Sequence, residues 1–541
     1  MPNDDASRLT LARPLPAGLG IARSHLVGAL AMVAWLAFAI GLHPLTLPEE
    51  GRYVGVAWEM LRSGDWIVPT QNGLPFFHKP PLFYWLTAAS MQLFGINAAA
   101  ARFAPLLAAS LAGFAFYAVT RRRAGAPVAR VALGVLATMP FFFAAAHYAN
   151  LDMPVAAFIA LAIVFAADAS LALRRGAPHH TALLLAWACA ALGVLAKGLI
   201  GIVLPGLVIV VWLAASGQWR TIPRLLSPVG LAAFLLIAAP WFVLVEQQHP
   251  GFARYFFYHH HFERFVERGF NNAQPWWFFV AVLPGLTLPW SLWLLRLRRP
   301  RPSLSEDAAA SDAPRDDRAA WRGLMWIWLV TVVVFFSLPQ SKPVGYIMPA
   351  LFPLAFLVAE PVLAAWQSAR ATWRCAVVAS LAVAVAVCVG AVGWMATRYT
   401  RDNTELAHTL RALRAPGDPI VFVEEYFFDV PLHAHLSAPV PVISDWHDPA
   451  IPNRDNWRRE LSEAGRFDPT RASSLLVDPQ HGFALRCGKA PLWALVKRQD
   501  EAAVAAMAEA ARVATSHGAS LWRLAPRACS PIASNADGRQ P

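Results

Sequence analysis

Residues 43–90 read HPLTLPEEGRYVGVAWEMLRSGDWIVPTQNGLPFFHKPPLFYWLTAAS, with an apolar run at 25–42 before them and another at 101–120 after them. Roughly 20 helical residues cross a hydrocarbon core about 30 Å thick. The flanking runs have about that length, while the stretch between them carries turn signals (GDW, NG) and a Pro80–Pro81 pair that suits a helix start. It is therefore a long polar and aromatic loop between two membrane spans. Further runs lie near 127–146, 153–173, 180–196, 198–216, 225–245, 275–296, 322–338, 344–364 and 375–396, eleven in all, or up to 13 helices (11–13) if some of these runs each join two short ones. Composition agrees: of 541 residues 57% are hydrophobic and 15% charged, with a mean hydropathy of +0.43. Soluble domains carry about 25% charged residues. An ordinary soluble enzyme and a disordered chain are both excluded. The 22 Trp and 32 Phe suit bilayer interfaces.

The net charge of +12 does not point to nucleic acid, because the basic residues cluster in short loops between apolar runs. Arg121–Arg123, Arg174/Arg175, Arg220/Arg224 and Arg370/Arg374 fall on alternate loops and mark the cytoplasmic side, with the tail 1–24. The loops 43–100, 147–152, 246–274 and 339–343 then face outward. Within the transmembrane domain, 25–397, the cytoplasmic loop 297–321 is Pro/Ala/Asp-rich and reads as a disordered tether. Residues 398–541 have the composition of a soluble α/β domain, with strands in PIVFVEEY, APVPVIS and SSLLVDP and a helix in EAAVAAMAEAARVAT. An odd number of spans places this domain outside. Cys189, Cys375 and Cys388 lie in apolar runs, and Cys487 and Cys529 can pair in an extracytoplasmic domain.

The outward loops hold the chemistry. Glu49 and Glu50 sit just outside the first span, before a helix whose Tyr53, Val54, Ala57, Trp58 and Leu61 would lie flat on the membrane. Asp152, in HYANLDMPVAA, lies at the same depth. The bland alternative for each acid is a helix cap. Two carboxylates at one depth can instead orient an acceptor hydroxyl and take its proton. Lys79, Lys197 and Lys342 stand isolated on the outer side, and YFFYHHHFERFVERGF supplies His259, His260, His261, Arg264 and Arg268. Snorkelling and an interfacial belt are their bland alternatives. A ring of such cations at headgroup depth suits a phosphate or diphosphate. If this segment is an α-helix, His260 and Arg264 share a face.

The run PEEGRYVGVAWEMLRSGDWIVPTQNGLPFFHKPPLFYW resembles the first periplasmic loop of the bacterial aminoarabinose transferase group, within the protein-mannosyltransferase-like superfamily of membrane glycosyltransferases (GT-C fold). HYANLDMP, AKGLIGIVLP, HHHFERF and SKPVGYIMP are similar to later motifs in the right order, so the resemblance covers residues 25–365. It implies an α-helical polytopic membrane protein of GT-C-like fold, with periplasmic interfacial helices and a C-terminal soluble α/β domain. It also implies a polyprenyl-phosphate-linked sugar donor and a lipid or glycan acceptor, such as lipid A, on the periplasmic side of the inner membrane. The usual Asp-Glu pair maps to Glu49-Glu50, with Glu in place of Asp, and Asp152 matches the second-loop acid. Glu49 and Asp152 are the implied catalytic pair. Glu50, Arg52, Tyr53, Lys79, Lys197, His261, Arg264, Lys342 and Tyr346 are the implied substrate contacts. The usual Glu-Lys before Pro is His78-Lys79 here; with His259, His78 occupies a place where some relatives bind a divalent metal such as zinc.

The cations would stabilise charge on the departing phosphate while an acid on the opposite face orients or deprotonates the acceptor, which predicts inversion. A transporter or flippase of lipid-linked saccharides is the alternative, but such proteins often show inverted repeats, and the two halves of this chain show none. A receptor or assembly subunit is the third reading; it predicts that Glu49 and Asp152 are dispensable.

Overall fold

The computed structural model describes residues 17–263, 272–297, 315–399, 402–487 and 489–527. Seven of its helices are long and apolar enough to cross a bilayer: Phe103–Ala124, Asp152–Arg174, His180–Lys197, Pro228–Gln248, Asp316–Ser337, Val344–Gln367 and Ala371–Arg398. Two pairs qualify only when joined across a bend, Ala126–Thr138 with Pro140–Ala146 at 65° and Phe278–Leu286 with Trp290–Arg296 at 110°. Pro140 opens the second half of one pair, and Pro284 and Pro289 flank the break in the other, where a missing N–H and the ring stop the ladder. Val27–Ala37 and Ile200–Ala215 are apolar but shorter. The eleven sequence runs are thus seven long helices, two bent pairs and two short helices, rather than 11–13 straight spans. A hydropathy run records polarity and not direction.

Asp152–Arg174 is the central helix: 89% of its apolar window is buried, against 22% for Pro228–Gln248 and 17% for Ala371–Arg398. Its alanines let His180–Lys197, Phe103–Ala124 and Ile200–Ala215 pack closely around it. The chain reverses at Gly198, whose φ of +102° suits glycine alone. Beyond the turn, Gly193 and Gly201 touch backbone to backbone, since a Cβ on Gly201 would lie 2.2 Å from the Gly193 carbonyl carbon. This reversal sets Lys197, at the end of one helix, beside Asp152, at the start of the central one.

At the opposite end, Arg123 is buried and bonds Asp168 (2.8 Å from Nε) and Asp317 (2.7 Å from Nη1), while Arg175 reaches Asp317 at 2.6 Å. Part of the arginine signal is therefore structural, tying three helices together. Asp317 belongs to a helix that begins at Arg315, so 315–321 is helical and not tether; the expectation for 298–314 lies outside the described residues.

The first outer loop folds as the helix Glu49–Ser63, a hairpin of β1 (Thr70–Gln71) and β2 (Leu74–Pro75), and the helix Leu82–Phe94 behind Pro81. The C-terminal region forms one mixed sheet from β3 (Ile420–Val423), β4 (Val442–Ile443), β5 (Leu476–Val477), β6 (Leu492–Lys497), β7 (Ala510–Thr515) and β8 (Ala519–Leu524), in the order β5-β4-β3-β6-β8-β7. The three expected strands are β3, β4 and β5, which run parallel. The expected helix over 501–515 is corrected: only Glu501–Ala505 is helical, and β7 follows, paired antiparallel with β8. Helix propensity differs by only tenths of a kcal/mol per residue, less than a ladder across the sheet edge supplies. Cys487 is disulfide-bonded, and Cys529 lies outside the described residues.

The sheet domain sits on the first outer loop, so the two share one side of the protein. Asn72 exchanges two hydrogen bonds of 2.8 Å with the Val440 backbone, Arg471 donates to the Gly73 carbonyl at 2.7 Å, and Arg62 to that of Leu436 at 2.8 Å. The Glu49–Ser63 helix is consequently enclosed. Phe428 covers Gly51 on one face and Phe83 and Tyr84 pack against Tyr53 on another. It does not lie with one face open to lipid, because the domain that covers it comes from a distant part of the chain.

Candidate active site

The two adjacent acids of the first loop have opposite fates. Glu50 is fully buried and both its oxygens are taken: Arg102 Nε (2.8 Å) and Ala149 N (2.7 Å) donate to Oε1, and Arg102 Nη2 (2.9 Å), Thr46 N (2.8 Å) and Thr46 Oγ1 (3.0 Å) to Oε2. Burial alone would raise this carboxyl, but the Arg102 guanidinium and the Ala149 and Thr46 amides outweigh it and hold it below the usual range. Arg102 is saturated as well, donating to the carbonyls of Ile40, His43 and Pro44. Glu50 therefore anchors the end of the first helix to the 147–151 loop; the substrate contact expected of it is corrected. Glu49, one residue earlier, points outward with its side chain 45% exposed. Its nearest cation is Arg52 Nη2 at 3.8 Å, beyond hydrogen-bond length.

Asp152 opens the central helix without capping it, since Leu151 is the N-cap residue and makes no side-chain cap bond. Instead its carboxylate pairs with the Lys197 ammonium, and Asn150 Nδ2 lies 3.3 Å from its other oxygen. The Tyr346 ring centre stands 4.5 Å from Lys197 Nζ, a cation–π contact. Gly345 presses on the same carboxylate: a Cβ there would lie 2.0 Å from Oδ2 and 2.6 Å from Cγ. Gly345→Ala is expected to push Asp152 off Lys197 and to lower turnover about a hundredfold, the scale of a 1 Å misplacement, with the fold retained; kinetics on the purified variant would check this. Asp152, Lys197 and Tyr346 are thus brought together. Burial raises the Tyr148 phenol, a hydrogen bond with Thr46 opposes this, and the charges of Glu49, Glu50 and Asp152 push it further up.

Several other expectations change. Arg52 is mostly buried, with Nη1 2.9 Å from Glu460 of the C-terminal domain and its guanidinium 5.4 Å from the Phe428 ring centre. It is committed to protein contacts before any substrate arrives. Tyr53 is buried in the packing between the two outer helices, not presented to a ligand. Lys342 is also buried, its ammonium bonded to the carbonyls of Gln274 (2.8 Å) and Pro339. It holds the 272–274 and 339–342 segments together, which replaces the expected phosphate contact. Lys79 stays half-buried beside the Pro pair.

His78 faces the C-terminal domain: Tyr255 Oη is 3.2 Å and Glu463 Oε2 3.6 Å from its Nε2. Glu463 also accepts from Tyr255 Oη at 2.6 Å and Arg459 Nε at 2.7 Å. Burial would raise Glu463, and the neighbouring His78 and Arg459 reverse it. His78 and Glu463 offer two donors, whereas a zinc site takes three or four. His259 and His261 lie on a π-helix, Arg254–Glu263, but their side chains, with Arg264 and Arg268, lie outside the described residues, so no step through a metal is derived. The i, i+4 face expected for His260 and Arg264 lies outside the described residues, since the described helix ends at Glu263, before Arg264. Sequence reading missed Arg102, Tyr148, Glu460 and Glu463. Of these only Arg102 left a signal, a charge inside the apolar run 101–120.

Residues 78–244 match the family described as dolichyl-phosphate-mannose-protein mannosyltransferase. The chain is 32% identical over 324 residues to an undecaprenyl phosphate-alpha-4-amino-4-deoxy-L-arabinose arabinosyl transferase of Pseudomonas fluorescens, and 33% identical over 325 residues to one of Pseudomonas aeruginosa. Each match covers 59% of this chain and 56% of the relative, so the chain spans just over half the length of the curated relatives it matches. The crystal structure of ArnT from Cupriavidus metallidurans bound to undecaprenyl phosphate superposes with a TM-score of 0.74 at 25% identity, covering 94% of this chain and 98% of that one. Its apo form gives 0.73 at 23%. In sequence and fold, then, the chain is an aminoarabinose-transferase-like, multi-span membrane protein of the GT-C architecture.

Proposed function

We propose that the protein transfers a sugar from a polyprenyl-phosphate-linked donor to an acceptor at the periplasmic face of a bacterial inner membrane, with lipid A as the acceptor that the sequence resemblance implies. The observation that carries this reading is the Asp152–Lys197 pair, flanked by Tyr346, in a fold whose solved relative holds undecaprenyl phosphate. The donor phosphate sits against Lys197 and Lys79. The bond from the sugar's anomeric carbon to the phosphate oxygen breaks, and its electron pair leaves with polyprenyl phosphate, where the lysines stabilise the new charge. An acceptor oxygen bonds the opposite face of that carbon, which inverts it. A hydroxyl acceptor gives its proton to Glu49, the exposed acid; a lipid A phosphate has none to give, and Glu49 then serves to orient. Asp152 holds Lys197 in place until the phosphate competes for it.

Mass spectrometry of lipid A from a deletion strain, and from that strain carrying the wild-type protein, tests the acceptor. A sugar-sized mass lost on deletion and restored by the protein supports lipid A. An unchanged lipid A assigns the transfer to another glycan.

A further inference from the structure

Arg52 is held between two carboxylates at unequal distance. Nη1 makes a 2.9 Å charge-assisted hydrogen bond to Glu460, whereas Nη2 stands 3.8 Å from Glu49. Glu460 comes from the helix Trp457–Gly465, whose first turn is capped by Asn456, and it is itself buried. One turn later Glu463 ties the same helix to Tyr255, and Phe467 packs edge-on against Phe77 at 4.8 Å, so the helix is fixed against the first loop. Phe428 lies over the guanidinium, its ring centre 5.4 Å away.

We infer that Glu460 is a positioning residue for sugar transfer: by holding Arg52, it keeps that cation from closing on Glu49 and leaves the Glu49 carboxylate open to the acceptor. The C-terminal domain then completes the active site instead of merely covering it. This rests on the proposed transferase reading, with Glu49 as the acceptor-side acid. With Glu460 neutral, the nearest full charge to Arg52 is Glu49, less than 1 Å beyond bonding distance, about a side-chain rotation away. An ion-paired Glu49 is a weaker base and a blocked one.

The test uses the full-length protein with undecaprenyl phosphate 4-amino-4-deoxy-L-arabinose and lipid A as probes. Glu460→Gln is expected to lower kcat about tenfold with the donor KM within about twofold, since the loss falls on the transition state and not on donor binding. Glu460→Asp, which keeps the charge, recovers part of the rate. Arg471→Gln removes a docking bond between the same domain and the β1–β2 hairpin, at a residue bonded to Gly73 and Asp468 and not to Arg52 or Glu49, and leaves kcat near wild type. Equal losses in Glu460→Gln and Arg471→Gln would mean docking alone matters and would overturn the inference, as would an unchanged Glu460→Gln. A wild-type protein without transfer overturns the proposed function and this inference together; an active wild type with an indifferent Glu460 overturns the inference alone.

Discussion

Asp152→Asn and Glu49→Gln are each expected to cut sugar transfer by about 10²- to 10⁴-fold, the usual worth of a positioned acid or base, in a protein that remains folded. The two should fail differently. Asp152→Asn removes the counter-charge of Lys197, so Lys197 binds the donor phosphate more tightly in the ground state. Its KM is expected to fall while kcat drops, the pattern of a donor held more tightly in the ground state than in the wild type. The cation beside Glu49 is Arg52, at 3.8 Å and held by Glu460, and among the described residues neither donor-side lysine pairs with it, so Glu49→Gln should leave the donor KM unchanged. With a phosphate acceptor its effect shrinks towards the positioning term. Initial rates with donor and acceptor varied separately check both.

Glu50→Gln is expected to act on stability and not on the chemical step. It leaves the fully buried Arg102 guanidinium without its anion, and breaking a buried pair in this way costs about 3–5 kcal/mol. Thermal denaturation in detergent should show a midpoint lower by about 10 °C. The double variant Glu50→Gln/Arg102→Met, which removes both charges, should recover part of that loss, since an uncharged pair needs no desolvation. Glu49→Gln should show no comparable fall. A large effect on stability from Glu49, or none from Glu50, would reverse the roles of these neighbours.

The membrane architecture was legible because it rests on counts of apolar residues: each run recognised in the sequence is helical in the structure, including those that bend at Pro140 or between Pro284 and Pro289. Direction was not legible, since a break at proline and a crossing have the same hydropathy. The site was half legible. Asp152, Lys197 and Tyr346 come from three separate motifs, and the order of those motifs placed them on one side before the structure brought them into contact. What the sequence hid is which of two adjacent glutamates is free. That depends on Arg102, a single residue at the start of an apolar run, and on the Ala149 amide, which no side-chain pattern can reveal. Glu460 was hidden for the same reason: its partner Arg52 lies some 400 residues away, and a short polar helix in a soluble domain carries no signal of what it docks against. The 501–515 segment shows the same limit in the fold, where alanines that favour helix were drawn into β7 by β8.

The most direct test of the central claim is to reconstitute the wild-type protein with undecaprenyl phosphate 4-amino-4-deoxy-L-arabinose and to follow release of undecaprenyl phosphate with and without lipid A. The account predicts release that depends on the acceptor, matched by sugar gained on lipid A and lost in Asp152→Asn. Release at the same rate in Asp152→Asn, or none from a folded wild type with donor bound, would contradict it.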